Sequence, residues 1–174
     1  MERYANVQGK FIFRGLVVLV GALLAAHPGS IRADDADEDG ITTAAVIALV
    51  EQSAKAVEED AEGTFARIKA SEHPFVDKDI PALYVFVYDT DVMMMAHPNT
   101  GLVGRSYKGR PDVRGKRFRD AIVEGALANG TGWEDYAYQK PGATGIFDKT
   151  AYYMLVTGND GKQYVVVSGR YKTR

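Results

Sequence analysis

Apolar residues recur between Ile41 and Ala70 with the period of an α-helix. Steps of three or four residues place them on one helical face, and they are Ile47, Val50, Ala54, Val57, Ala61, Phe65 and Ile68. The pattern predicts one long helix over residues 41–70. Gly63 weakens this helix and His73-Pro74 ends it.

After Pro81 the hydrophobic pattern changes from helical to alternating, which is typical of strands. Five strands are predicted, at residues 83–88, 92–96, 132–140, 150–158 and 163–171. A loop is predicted over 97–114 and a second helix over Gly115–Asn129, with Phe118, Ile122 and Ala126 on its inner face. Because short turns such as Asn159-Asp160-Gly161 join consecutive strands, the order predicts an α+β fold. In this fold the long N-terminal helix packs on a five-stranded antiparallel sheet, with the helices on one face.

The N-terminal residues have the pattern of a secretory signal peptide. A basic start is followed by Gly15–Ala26, twelve residues without a charge, whereas a spanning helix needs about 20. We expect cleavage after Ala33, so that residues 1–33 form the signal peptide, 34–40 an acidic, solvated leader and 41–174 one domain. This predicts a periplasmic protein with no transmembrane span after cleavage. The alternative interpretation is an uncleaved membrane anchor.

Composition excludes several kinds of chemistry. The chain of 174 residues contains no cysteine, which excludes disulfides, thiol catalysis and iron–sulfur clusters. It has no Ser-His-Asp arrangement with a nucleophile elbow, so we predict that it is not an enzyme. The few histidines lack a zinc-binding spacing, and neither a metal nor a cofactor is predicted.

Seven basic residues lie within the fifteen positions from Arg105 to Arg119. The net charge of the chain is −2 and few stacking aromatics accompany the basic run, so we predict no nucleic-acid partner. The run is interpreted as a solvated loop and helix start. Arg105 is the candidate to reach a pocket and pair with a carboxylate. A docking patch for a protein partner is the alternative.

Five segments in order carry a resemblance to a known family. They are Tyr84-Val85-Phe86-Val87-Tyr88-Asp89-Thr90-Asp91, Met95-Ala96-His97-Pro98-Asn99, Leu102-Val103-Gly104, Gly132-Trp133 with Tyr136, and Lys140-Pro141-Gly142 with Lys149 and Tyr152. Over residues 41–171 the chain resembles the second subtype of the single Cache sensor family. The resemblance implies a PAS-like sensor in which a long N-terminal helix and an antiparallel sheet enclose a small-molecule pocket. Members commonly bind small organic acids.

The resemblance also implies partners. In the family this module usually lies outside the membrane as part of chemoreceptors, histidine kinases or cyclic-dinucleotide enzymes. No signalling domain follows in this sequence, so we expect a stand-alone exported sensor for a small molecule, with a separate membrane chemoreceptor or histidine kinase as its partner. The alternative is a ligand-free periplasmic interaction module that docks on a membrane protein.

Candidate ligand-binding residues follow from the same segments. The resemblance implies Trp133, Tyr136, Lys149 and Tyr152, with Lys149 and Tyr152 holding one end of a carboxylate against Trp133. His97 is added because it follows a strand at the mouth of the predicted loop. Strand alternation puts Trp133 and Tyr136 on opposite faces, and a bulge near Glu134 would reconcile them. The alternative interpretation makes Lys149 a solvent-facing loop end and Tyr152 a core residue.

Overall fold

A computed structural model describes residues 36–37 and 39–172 of the chain. The predicted signal peptide, residues 1–33, lies outside these residues and stays a prediction. In chain order the helices and strands are α1 (Thr43–Glu59), α2 (Ala61–Lys69), β1 (Val85–Asp89), β2 (Met94–Ala96), α3 (Phe118–Asn129), β3 (Thr131–Gln139), β4 (Ile146–Thr157) and β5 (Gln163–Tyr171).

The five strands form one antiparallel sheet in the order β2-β1-β5-β4-β3. This confirms the predicted α+β fold with a five-stranded antiparallel sheet. The helices, however, lie on both faces of the sheet and not on one. Helices α1 and α2 cover one face, and α3 covers the other together with the chain that leads into it.

Strand β1 explains why both faces are covered. Its alternate residues Val85 and Val87 pack with α1 and α2. Tyr84, Phe86 and Tyr88 point to the opposite face and belong to the cluster that contains Phe118 of α3. A strand with apolar or aromatic residues on both sides buries its hydrophobic area only when each side is packed against another layer.

The predicted long helix is interrupted at Asp60. Its backbone is extended there, with φ −156° and ψ 91°, and its carboxylate caps α2 by accepting the Gly63 N–H at 3.0 Å. The Ala61 N–H donates to Asn159 Oδ1 at 3.0 Å, and Asn159 belongs to the hairpin between β4 and β5. The helix breaks because side chains accept these N–H groups in place of the preceding helical turn.

The acidic residues before α1 do not form a solvated leader where the structure describes them. Asp37 is buried, and its carboxylate accepts the N–H groups of Ile41 at 2.8 Å and Tyr171 at 3.2 Å. Asp39 forms an ion pair of 2.7 Å with Lys140. These contacts attach the start of the domain to the end of β5 and to the residue after β3, and they correct the prediction for this segment.

Candidate functional site

A row of three neighbouring side chains crosses the sheet on the face covered by α3. Lys149 on β4 pairs in register with Tyr136 on β3 and with Tyr171 on β5. Side chains that pair directly across antiparallel strands point to the same face. Lys149 has no solvent-exposed surface, so the alternative of a solvent-facing loop end does not hold.

The Lys149 ammonium is surrounded by aromatic rings. Its Nζ donates to the Tyr84 hydroxyl at 3.0 Å and lies 4.2 Å from the Tyr84 ring centroid, 4.9 Å from that of Tyr171 and 5.7 Å from that of Phe86. Among the described residues no carboxylate pairs with it. Burial lowers the pKa of Lys149 to about 7 because the charged form loses hydration. A buried ammonium without a counter-charge favours the approach of an anion.

Two tyrosine hydroxyls lie near Lys149. The Tyr84 hydroxyl accepts from Lys149 Nζ at 3.0 Å, and the Tyr171 hydroxyl donates to the Gln139 carbonyl at 2.6 Å. Burial raises the pKa of both tyrosines, so both remain neutral phenols at physiological pH. The two phenols therefore surround Lys149 without adding a negative charge that would neutralise it.

His97 lies on the other side of Tyr84, directly after β2. Its Nδ1 accepts the Asn99 N–H at 2.8 Å, which leaves Nε2 as the nitrogen that carries the proton and donates. The imidazole centroid is 5.3 Å from that of Tyr84. Burial, reinforced by the positive charges of Lys149 and Arg119, lowers the pKa of His97 to about 3. His97 is therefore a neutral hydrogen-bond donor at neutral pH.

Two cavities meet at Tyr84, His97 and Tyr138. The larger is a cleft of about 700 Å³ that is also lined by residues of the chain between β3 and β4. The smaller, of about 10 Å³, holds no more than about one water molecule. Aromatic side chains dominate its lining, which consists of Tyr84, Phe86, Tyr88, Met94, His97, Phe118, Tyr136 and Tyr138. The half-buried Tyr138 borders both cavities.

The structure brings three of the six predicted site residues together and separates the other three. His97 and Tyr136 line the small cavity, where Tyr136 stacks on Phe118 with ring centroids 3.9 Å apart. Lys149 lies behind this lining and contacts the rings of Tyr84 and Phe86. Arg105 is exposed on the loop after β2.

Trp133 and Tyr152 lie on the opposite face of the sheet. They are register partners on β3 and β4 with ring centroids 5.2 Å apart, and Tyr152 packs against the cluster under α1. The register runs without a bulge from Thr131 to Gln139, so the irregularity expected at Glu134 is absent. The predicted grouping of Lys149 with Tyr152 and Trp133 is therefore not formed.

Sequence reasoning missed Tyr84, Tyr138 and, above all, Arg119. Of the seven basic residues between Arg105 and Arg119, Arg119 is the buried one, with 9% of its surface exposed. The position of Arg119 along the predicted helix could have indicated its burial. Arg119 follows Phe118 and precedes Ile122 by three positions, so it lies next to the apolar face of α3.

The described residues form neither a cluster of metal ligands nor a membrane-spanning helix. No group of three or more metal-ligating side chains occurs in the part of the chain that the structure describes. Within the same residues, no helix is both long and apolar enough to cross a membrane.

Comparison with known proteins places the chain in a family. The sequence model of the family described as "Single Cache domain 2" matches residues 35–172. No protein with a curated description matches the sequence.

Solved structures share the fold. A periplasmic sensor domain of a chemotaxis protein is 26% identical, with a TM-score of 0.55 over 74% of this chain and 88% of the other. A Cache chemosensory domain described for carboxylic acid recognition is 21% identical, with a TM-score of 0.57 over 72% and 90%. A methyl-accepting chemotaxis protein from Vibrio parahaemolyticus is 15% identical, with a TM-score of 0.57 over 72% and 85%. The matched residues include both helical layers and the whole sheet, and the chain belongs to the single Cache domain 2 family.

Proposed function

We propose that this protein is a periplasmic sensory domain that binds a small organic acid at the cleft beside Tyr84 and His97. The observation that carries the proposal is Lys149, a fully buried ammonium that has no carboxylate partner among the described residues. A bound carboxylate supplies the missing charge. The ion pair forms away from bulk water, where it is stronger than on the surface.

The proposed recognition uses three polar groups and an aromatic wall. Lys149 supplies charge from behind Tyr84. Tyr84 and His97 line the cleft where the acid enters, and they offer a hydroxyl and an Nε2–H group. Tyr136 and Tyr138 provide apolar ring surface for the carbon chain of the acid. A few polar groups in a mostly apolar pocket are typical of small-molecule sites.

The family and two related structures support the choice of ligand and role. The chain belongs to a family of Cache domains, and one structure with the same fold is described for carboxylic acid recognition. Another is described as the periplasmic sensor domain of a chemotaxis protein. We therefore propose that the ligand signal reaches a separate membrane chemoreceptor or histidine kinase.

The test compares acids with their neutral analogues. The full chain is titrated calorimetrically with short-chain carboxylates and with the corresponding amides, which have the same shape and no charge. We expect binding of acids only. The Lys149→Met variant, which keeps an unbranched side chain as far as Cε and removes the ammonium, should bind the best acid about 10- to 150-fold more weakly because a charge-assisted hydrogen bond is lost.

Lys108→Met is the matched control, because Lys108 is an exposed lysine paired with Asp91 at 3.5 Å. It should bind the acid like the unmodified protein. Equal binding of acids and amides, or unchanged affinity in Lys149→Met, contradicts the proposal. The absence of binding to any acid favours the ligand-free interaction module.

A further inference from the structure

Arg119 is a second buried cation on the same face of the sheet. Its guanidinium carbon lies 4.2 Å from the ring centroid of Phe118, 4.6 Å from that of Tyr107 and 5.9 Å from that of Tyr138. Its Nε is buried without a hydrogen-bond partner. Ring faces compensate only part of the lost hydration of a guanidinium.

Acidic side chains near Arg119 are already engaged elsewhere. Asp112 lines the same 220 Å³ cleft as Arg119, but its carboxylate accepts backbone N–H groups of Lys116 and Ala137, each at 2.9 Å. Asp120, the next residue along α3, accepts the Gly109 N–H with both oxygens. Among the described residues no carboxylate forms an ion pair with Arg119.

Lys149 and Arg119 contact different rings of the lining of the small aromatic cavity. Lys149 contacts the rings of Tyr84, Phe86 and Tyr171, and Arg119 contacts those of Tyr107, Phe118 and Tyr138. The two sets share no ring, yet the cavity is lined by members of both. His97 also lines this cavity. The positive charges of Lys149 and Arg119 both lower its pKa.

We infer that Arg119 is a specificity residue and that the ligand carries two acidic groups, one held at Lys149 and the other at Arg119. This inference rests on the proposed function. A monocarboxylate would neutralise one of the two buried cations and leave the other without a counter-ion, whereas a dicarboxylate neutralises both. A guanidinium also offers paired N–H groups that match the geometry of a carboxylate.

Tyr138 lies where such a ligand would have to pass. It borders the 700 Å³ cleft, the small cavity and the cleft beside Arg119. The small cavity, of about 10 Å³, is too small for a carbon chain. A ligand that reaches both cations therefore requires the half-buried Tyr138 ring to turn aside.

The experiment compares acids of equal length with one and with two carboxylates. The full chain is titrated at neutral pH with succinate, glutarate, adipate and pimelate, and with butyrate, valerate, hexanoate and heptanoate. We expect one dicarboxylate to bind about 10- to 150-fold more tightly than the monocarboxylate of the same length, the effect of one added charge-assisted contact. Arg119→Met should abolish this preference, so that mono- and dicarboxylates of equal length bind with affinities within about twofold of each other.

Arg105→Met is the matched control, because Arg105 is an exposed arginine of the same basic run. It should keep the full preference. Equal binding of mono- and dicarboxylates by the unmodified protein overturns the inference and leaves the proposed function intact, and this comparison needs no variant. Retention of the preference in Arg119→Met also overturns it. Binding of neither kind of acid contradicts the proposed function itself.

Discussion

Lys149 on β4 donates to the hydroxyl of Tyr84, which precedes β1, at 3.0 Å across the intervening strand β5. The two residues are 65 positions apart in the chain. Their contact joins a charge on one hairpin to a residue that lines the cleft.

The stability of the ligand-free protein should depend on Lys149 in a defined pH window. Its pKa falls from 10.5 in the unfolded chain to about 7 when folded, so between these values the unfolded state binds more protons. Stability should therefore rise with pH from about 7 to 10, by up to about 1.4 kcal/mol per pH unit.

Urea unfolding at a series of pH values measures this effect, and Lys149→Met should lack the rise. The variant should also be more stable than the unmodified protein near pH 7, because it no longer buries an ammonium. The Lys108→Met control should keep the rise. If the free energy of unfolding of Lys149→Met rises between pH 7 and 10 as steeply as that of the unmodified protein, the prediction is contradicted.

Binding of an acid should be accompanied by proton uptake. A carboxylate stabilises the charged form of Lys149, which raises the pKa of Lys149 from about 7. We expect uptake of about one proton per ligand at pH 8.5 and of close to none at pH 6. Calorimetric enthalpies in buffers of different ionisation enthalpy give this number. Equal proton uptake at both pH values would show that Lys149 is not the linked group.

His97 should control the loss of stability in acid. Because its pKa falls from 6.5 to about 3 on folding, the unfolded state binds more protons between these values. The contribution of the neutral His97 to the free energy of unfolding is fully present above about pH 6.5. It decreases as the pH falls towards 3, by up to about 1.4 kcal/mol per pH unit. In His97→Gln, which has no group that titrates in this range, this slope should be smaller.

His73→Gln is the control for this measurement, because His73 is exposed. Its acid unfolding should follow that of the unmodified protein. If stability decreases equally steeply with falling pH in His97→Gln and His73→Gln, His97 is not the cause of the acid sensitivity.

The helix break at Asp60 should reverse the usual effect of a Gly-to-Ala change. A Cβ at Gly63 would lie 2.0 Å from Asp60 Oδ2, so Gly63→Ala should displace the cap and destabilise the protein by about 0.5–2 kcal/mol. In an Asp60→Ala background the obstacle is gone. The same change should then stabilise the protein by about 0.5–1 kcal/mol through helix propensity. Thermal unfolding of the unmodified protein, the two single variants and the double variant measures both changes in stability. An equal effect of Gly63→Ala with and without Asp60→Ala would contradict this account.

Substitutions on the face of the sheet covered by α1 should leave the affinity for the ligand nearly unchanged. Trp133 and Tyr152 share a face that is opposite to Lys149. We expect Trp133→Ala and Tyr152→Phe to change the affinity for the best acid by less than about twofold. Tyr136→Ala, on the cavity side, should weaken binding because it removes ring surface that the proposed site offers to the carbon chain of the acid. A large loss of affinity in Trp133→Ala would restore the role that the sequence resemblance implies.

Much of the fold could be predicted because it rests on local patterns. Helix α3 ends at Asn129 and strand β5 spans Gln163–Tyr171, as predicted. Both limits are set by nearby residues, a glycine in the left-handed conformation after α3 and a hairpin turn before β5. The alternation in β1 was also readable, but it did not show that each face would be covered by a different helical layer.

The candidate site depended on contacts that no local pattern contains. The sequence by itself determined that the Tyr136 side chain points away from that of Trp133, since strand residues alternate. It named Lys149 and His97 through the family resemblance and the position after a strand.

Only the tertiary structure decided which face carries the cavity, because β5 inserts between β1 and β4 and brings Tyr84 to Lys149. It also decided which arginine of the basic run is buried. That choice depends on the docking of α3 against β3, which turns Arg119 towards Tyr138 and leaves Arg105 in solvent. Charge and hydrophobicity belong to single residues, whereas burial without a counter-charge is a property of the packed molecule.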